Sequence, residues 1–160
     1  MDTRLAKQPR VGPTALWAWS RHAHSRGHRR TAKLLKALTF LTFKAILPPE
    51  ASVGRAVQVR HYGVSTVIHP NTKIGDRVTI WHDVTIGSAS DIGSEHGVIV
   101  GNDVVLGAGA KIFAPRDRTI HIGNNVKVGV GAVVVRDVPD GATILAPEGS
   151  PATGAARQPN

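Results

Sequence analysis

The stretch Thr72-Lys73-Ile74-Gly75-Asp76-Arg77-Val78-Thr79-Ile80-Trp81-His82-Asp83-Val84-Thr85-Ile86-Gly87 places an isoleucine at every sixth position. The beat extends in both directions, through Leu47, Val53, Val59 and Ile68 on one side and Ile92, Val100, Leu106, Ile112, Ile122, Val128 and Val134 on the other. A small or β-branched residue recurs four positions after many of these, as at Val78, Val84, Val104, Ala110, Val126 and Ala132. A period of six fits neither the helix repeat nor the two-residue alternation of a half-exposed strand, so it is an internal repeat. The hexapeptide β-helix accounts for it. Each rung is a short strand and a turn, its first residue points into a narrow interior, and three rungs close one triangular coil. Equivalent positions of successive coils then stack at the inter-strand spacing of roughly 4.8 Å. Residues 47–145 are predicted to wind through about five such coils.

The chain has 160 residues, enough for one sizeable domain and an appendage. It has no cysteine, which excludes a disulfide framework and a thiolate metal site. The net charge of +9 is uneven: residues 1–50 carry ten Lys/Arg against Asp2 and Glu50, while residues 51–160 carry ten against nine acidic residues. The basic character therefore belongs to the N-terminal arm. It reads as a solvated helix face with no specific nucleic-acid motif, although such charge can attract nucleic acid or an anionic membrane. No run approaches the ~20 apolar residues that span a bilayer. Leu34–Leu47 is interrupted by Lys36 and Lys44 and is too distant from the start for a secretory signal, so a soluble cytoplasmic protein is expected.

Residues 1–12 are polar and expected to fray. From Thr14, an N-cap candidate, to about Lys44 the pattern is helical, with Leu16, Trp17 and Trp19 in one segment and Leu34, Leu35, Leu38 and Leu41 in another, separated at Gly27. Both segments are expected to lay their apolar sides over the open first coil, whose backbone groups would otherwise be unpaired. The predicted organisation is a basic arm and helical cap over residues 1–46, the β-helix over 47–145, and a loose tail over 146–160.

The beat breaks in three places, and loops leaving a rigid scaffold are where binding and catalytic groups concentrate. Val59 to Ile68 spans nine residues, Ile92 to Val100 eight, and Ile112 to Ile122 ten. His61 is the third residue of its rung and His82 the third of the rung one full coil later, so their imidazoles should be neighbours on one edge. Counting Ile92 as a rung brings His96, in the loop before Val100, to the same edge. Histidine suits removal of a proton from an alcohol near neutral pH, which is what acyl transfer to a hydroxyl requires. Exposed turn histidines, or a three-histidine zinc site, are the other readings of the same cluster.

Several segments carry a more specific likeness: Pro48-Pro49-Glu50-Ala51, His61-Tyr62-Gly63, Val67 to Gly75 (Val-Ile-His-Pro-Asn-Thr-Lys-Ile-Gly), Gly107-Ala108-Gly109-Ala110-Lys111-Ile112, and Val128 to Pro139. Together they resemble the short bacterial serine O-acetyltransferases of the hexapeptide-repeat acyltransferase superfamily, over roughly residues 15–152. The resemblance implies an all-β left-handed parallel β-helix with an N-terminal helical cap, assembled as a homotrimer with active sites between neighbouring prisms. It implies acetyl-CoA as co-substrate, no metal, and a small acceptor bearing a hydroxyl. The family's general base falls on His61, and its second active-site histidine matches His96 after a one-residue shift. The residues that contact CoA fall on Ala110, Lys111, Gly129, Gly131 and Ala132, and Lys111 and Arg136 carry charge suited to its phosphates. Two departures stand out: Arg60 and Ile46 occupy positions where the family has aspartates, one for the substrate ammonium and one to orient the base.

Transfer of acetyl to L-serine, with His61, His82 and His96 as the catalytic set, is thus the leading expectation. The alternatives are a sugar or polysaccharide hydroxyl as acceptor, a histidine-liganded zinc enzyme of carbonic-anhydrase type, and a catalytically inactive assembly module.

Overall fold

In the computed structural model, residues 11–147 are described. The expected frayed lead-in and loose tail fall almost wholly outside that range. Short parallel strands build a three-sided, left-handed β-helix. The first side stacks Ser52–Val53, Lys73–Ile74, Val98–Val100 and Ile120–Ile122. The second stacks Gln58–Val59, Thr79–Ile80, Val105–Leu106, Lys127–Val128 and Thr143–Ile144. The third stacks Val67–Ile68, Thr85–Ser88, Lys111–Ala114 and Val133–Val134. Isolated bridges from Ile46 to Val67 and from Val138 to Ile122 add one more rung to the third and first sides. The winding runs against the right-handed preference of ordinary parallel crossovers.

The register is in phase throughout: Ile74 pairs with Val100, Ile80 with Leu106 and Ile86 with Ile112. The beat residues, together with Val78, Val84, Val104, Ala110 and Val126, form one continuous apolar column that is almost completely closed to water.

One rung of the expected ladder is absent. Ile92 is 71% exposed and lies in a loop between the strands Thr85–Ser88 and Val98–Val100. The chain leaves the third side after Ser88 and re-enters the column only at Val98, on the first side. An isoleucine followed by Gly93 imitates the beat, but the loop carries it past the edge of the column.

Helix α1 (Pro13–Ser25) and helix α2 (Arg29–Phe43) precede the column and are separated at Gly27, whose φ is +81°. Pro13 at the first helical position starts α1, and the N-cap is Gly12 rather than Thr14. The Thr14 hydroxyl instead accepts a hydrogen bond from the Val59 backbone N–H of the first coil. The Trp17 indole donates to the Pro48 carbonyl at 2.8 Å, and the Arg21 guanidinium donates to the carbonyls of Ala51 and Val53 at 3.1 and 2.8 Å. So α1 closes the open coil partly with side-chain hydrogen bonds, satisfying main-chain groups that have no preceding coil to pair with.

Helix α2 reaches the column through Phe43 rather than through its leucines. Its Ala32 carbonyl accepts a hydrogen bond from the Ser20 hydroxyl of α1, and Leu34, Leu38 and Leu41 are left exposed.

A polar ladder climbs the edge between the first and second sides. The Arg55 N–H donates to Asp76 Oδ1, the Asp76 N–H to Asn102 Oδ1, the Asn102 N–H to Asn124 Oδ1, and the Asn124 N–H to Asp140 Oδ1, all at 2.7–2.9 Å. Coils approach so closely here that a Cβ on Gly101 would lie 2.8 Å from the main chain of Gly123. Arg55 pairs with Asp76 and Arg77 with Asp103 on the same edge.

Gly101→Ala should therefore lower stability by about 1–3 kcal/mol through overpacking, read as a lower urea midpoint at unchanged slope. The hydrogen bonds and charge of Arg55 hold the Asp76 carboxyl below its ordinary range, and those of Arg77 do the same for Asp103. A depressed folded-state value stabilises the fold above the unfolded carboxylate value of about 3.9 and is lost as pH falls through the folded one. Acid should thus lower the melting temperature, and the fall should be smaller in Asp76→Asn/Asp103→Asn.

Candidate active site

The edge between the second and third sides carries the histidines. Val59 and Ile80 are paired, and two residues beyond each the chain turns the corner at His61 and His82. Their rings stack with centroids 5.1 Å apart and planes 19° from parallel. The edge of Trp81 packs on His61 at 5.0 Å. His61, Tyr62 and Gly63 are three consecutive residues with left-handed backbone, φ +49°, +57° and +61°. A non-glycine residue there is held at a cost of order 1 kcal/mol, and strain of this kind concentrates at functional sites. The turn is fixed from both sides: the Thr66 hydroxyl donates to the Trp81 carbonyl, and the Tyr62 ring stacks on Phe43 at the end of α2. The Nδ1 of His82 is buried with no protein partner.

Further along this edge, the positions of His61 and His82 are continued by Ala108 and then Val130, next to Gly109 and Gly131, both left-handed. Lys111 reaches back across the edge, its Nζ 2.6 Å from the Asp83 carbonyl and 3.1 Å from Asp83 Oδ1. Lys111, Gly129 and Gly131 therefore lie along the same edge as the two histidines. Ala110 and Ala132 are near it, but their side chains are sealed in the column, so only their backbone is presented there. Asp83 is taken up by Lys111, and neither His61 nor His82 donates a hydrogen bond to a carboxylate among the described residues. No group of three or more His, Cys, Asp or Glu side chains among the described residues is arranged to hold a metal ion.

His96 and Arg136 lie elsewhere. Because Ile92 is not a rung, the loop after Ile86 leaves from the edge between the third and first sides. The expected meeting of three histidines on one edge of a single chain is thus corrected: His61 and His82 meet, and His96 sits a side away. Arg136 follows the strand Val133–Val134 onto that second edge.

The loop bearing His96 is organised by Asn71, a residue the sequence pattern did not single out. Its amide nitrogen donates to the Asp91 carbonyl, Ser94 Oγ and the His96 carbonyl at 2.9, 3.1 and 2.9 Å, and its Oδ1 accepts the Gly93 N–H at 2.8 Å. The only signal for it was position: it lies one coil below the break that precedes Val100. Asn71→Ala should free this loop, raising amide exchange at Gly93 and His96 by about a hundredfold while exchange in the column stays slow. Hydrogen exchange read residue by residue checks this.

No family model matches the chain. The serine acetyltransferase of Helicobacter pylori is 39% identical over 129 residues, which is 78% of this chain and 72% of that protein. Among solved structures, serine acetyltransferase of Neisseria gonorrhoeae in complex with serine superposes with a TM-score of 0.73 at 27% identity, over 87% of this chain and 54% of that one. The Brucella abortus enzyme in complex with coenzyme A shares the fold, with a TM-score of 0.75 at 23% identity over 84% of this chain and 52% of that one. The chain thus spans about half the length of these solved structures. At this identity and coverage, the chain belongs to the serine acetyltransferase family of acetyl-CoA-dependent O-acyltransferases.

Proposed function

We propose that this chain transfers the acetyl group of acetyl-CoA to the hydroxyl of L-serine, with His61 as general base. The observation that carries the residue assignment is the stacked His61–His82 pair on the edge that also carries Lys111, Gly129 and Gly131. His61 takes the proton of the acceptor hydroxyl as its oxygen attacks the thioester carbonyl carbon. The tetrahedral intermediate then collapses, the C–S bond breaks, and the imidazolium returns the proton to the departing CoA sulfur. Main-chain N–H groups of this edge stabilise the oxyanion. His82 supports the His61 ring by stacking and fixes its orientation. Lys111 lies where an ammonium can meet a CoA phosphate once it exchanges its contact with Asp83.

The working unit is a homotrimer in the cytoplasm. In such an assembly the edge bearing His96 and Arg136 of one prism faces the His61 edge of its neighbour, so the two halves of the site come from different copies. This reading is supported by the separation of His96 from His61 on two edges of one chain.

One observation favours a second acceptor. Arg60, directly before the base, keeps its Nε buried without a protein partner, where an acidic residue would suit the ammonium of an amino acid. A sugar or polysaccharide hydroxyl lacks that ammonium and avoids the like-charge contact. Release of free CoA measured with L-serine and with a panel of sugars distinguishes the two acceptors. His61→Ala should lower kcat by 10²–10⁴-fold with whichever acceptor is used. A variant with near-normal kcat would remove His61 from the mechanism.

A further inference from the structure

The outward face of α2 has no role in the column or on the histidine edge. Leu34, Leu38 and Leu41 recur at helical spacing and are 71%, 45% and 66% exposed, and Phe40 beside them is 46% exposed. An apolar stripe of this kind on a two-helix cap calls for a covering surface. Its charge setting narrows what that surface is. Between Thr3 and Pro49 there is no acidic residue, and seven Lys/Arg lie between Arg21 and Lys44. Only Arg21 among them is committed to capping the column. The first turn of α2 carries Arg29 and Arg30 with no acid and no side-chain cap, so the positive end of the helix dipole adds to the same field. Beside the stripe, Ala37, Phe40 and Ile46 floor an open groove of about 470 Å³ with Lys33 and Lys36 on its lining.

We infer that this face docks on an anionic phospholipid surface, with Leu34, Leu38, Leu41 and Phe40 entering the interfacial layer and Lys33, Lys36 and Arg30 meeting lipid phosphates. Leucines set among cations are the pattern of a helix lying in the plane of a bilayer interface, where lysine and arginine stems run along apolar surface and their heads stay with the phosphates. The same face of a second copy fits less well, because it would set one acid-free basic surface against another. A nucleic acid would satisfy the charge and leave the leucines uncovered. No helix among the described residues is long and apolar enough to cross a membrane, so the association is peripheral.

The test is sedimentation of the full chain with phosphatidylcholine vesicles, with and without phosphatidylglycerol. Sedimentation with the phosphatidylglycerol vesicles alone, weakened by salt, is the expected result. Lys33→Ala/Lys36→Ala should weaken it about thirtyfold, and Leu34→Ser/Leu38→Ser at least tenfold. Both pairs are at the surface, so circular dichroism of the variants should match the parent. No sedimentation with either vesicle would overturn the proposal, as would binding that survives Leu34→Ser/Leu38→Ser. So would an assembly in vesicle-free buffer that this leucine pair dissolves, because a second copy would then be what covers the stripe.

Discussion

The structure depends on the in-phase stacking of each coil on the one before it. A parallel strand offers its main-chain groups to both neighbours at a fixed spacing, and the inward side chains must repeat at the same positions to fill the bore between the three sides. Ile80 on Leu106 and Ile86 on Ile112 are instances of this single condition. Shifting a strand by one residue would turn its apolar set to water, so the register is strongly specified. The outward positions are then specified as well. His61 and His82, twenty-one positions apart in the chain, stack because their rungs do.

That coupling explains which parts of the molecule could be read from the sequence. The bore residues obey a short-range rule and were legible one by one, as was the meeting of His61 and His82. The beat could not tell a rung from an imitation. Ile92-Gly93 has the right residues, but the coil it would have formed is replaced by a loop held by Asn71, and that contact joins positions about twenty residues apart. The error propagated: counting one rung too many rotated His96 onto the wrong edge. The helices show the same limit. Leucine spacing on α2 correctly announces an amphipathic helix, but it does not say which surface the leucines meet. Here Leu34, Leu38 and Leu41, expected to lie over the first coil, stay exposed, and Phe43 packs against the column instead.

The three edges of the prism have diverged in use. One carries the stacked imidazoles and is crossed by Lys111. A second carries the long loops, with His96 and Arg136. Chemistry and length variation are thus kept at corners, where side chains point outward, while the bore remains almost wholly aliphatic. The cap follows the same logic at the end of the column: α1 satisfies exposed main-chain groups with Trp17, Arg21 and Thr14, and so frees the far face of α2 from any structural duty.

The ladder from Asp76 through Asn102 and Asn124 to Asp140 gives the remaining edge a different character. Every passage around it, from Val53 to Val59 up to Val138 to Ile144, takes six residues, whereas all the irregular passages fall on the other two edges. Each carboxamide or carboxylate reaches the next main chain only if no residue is gained or lost between them. This corner therefore works as a ruler for the whole column. Evolution, or an engineer grafting a new loop, has two corners to write on and must leave the third untouched.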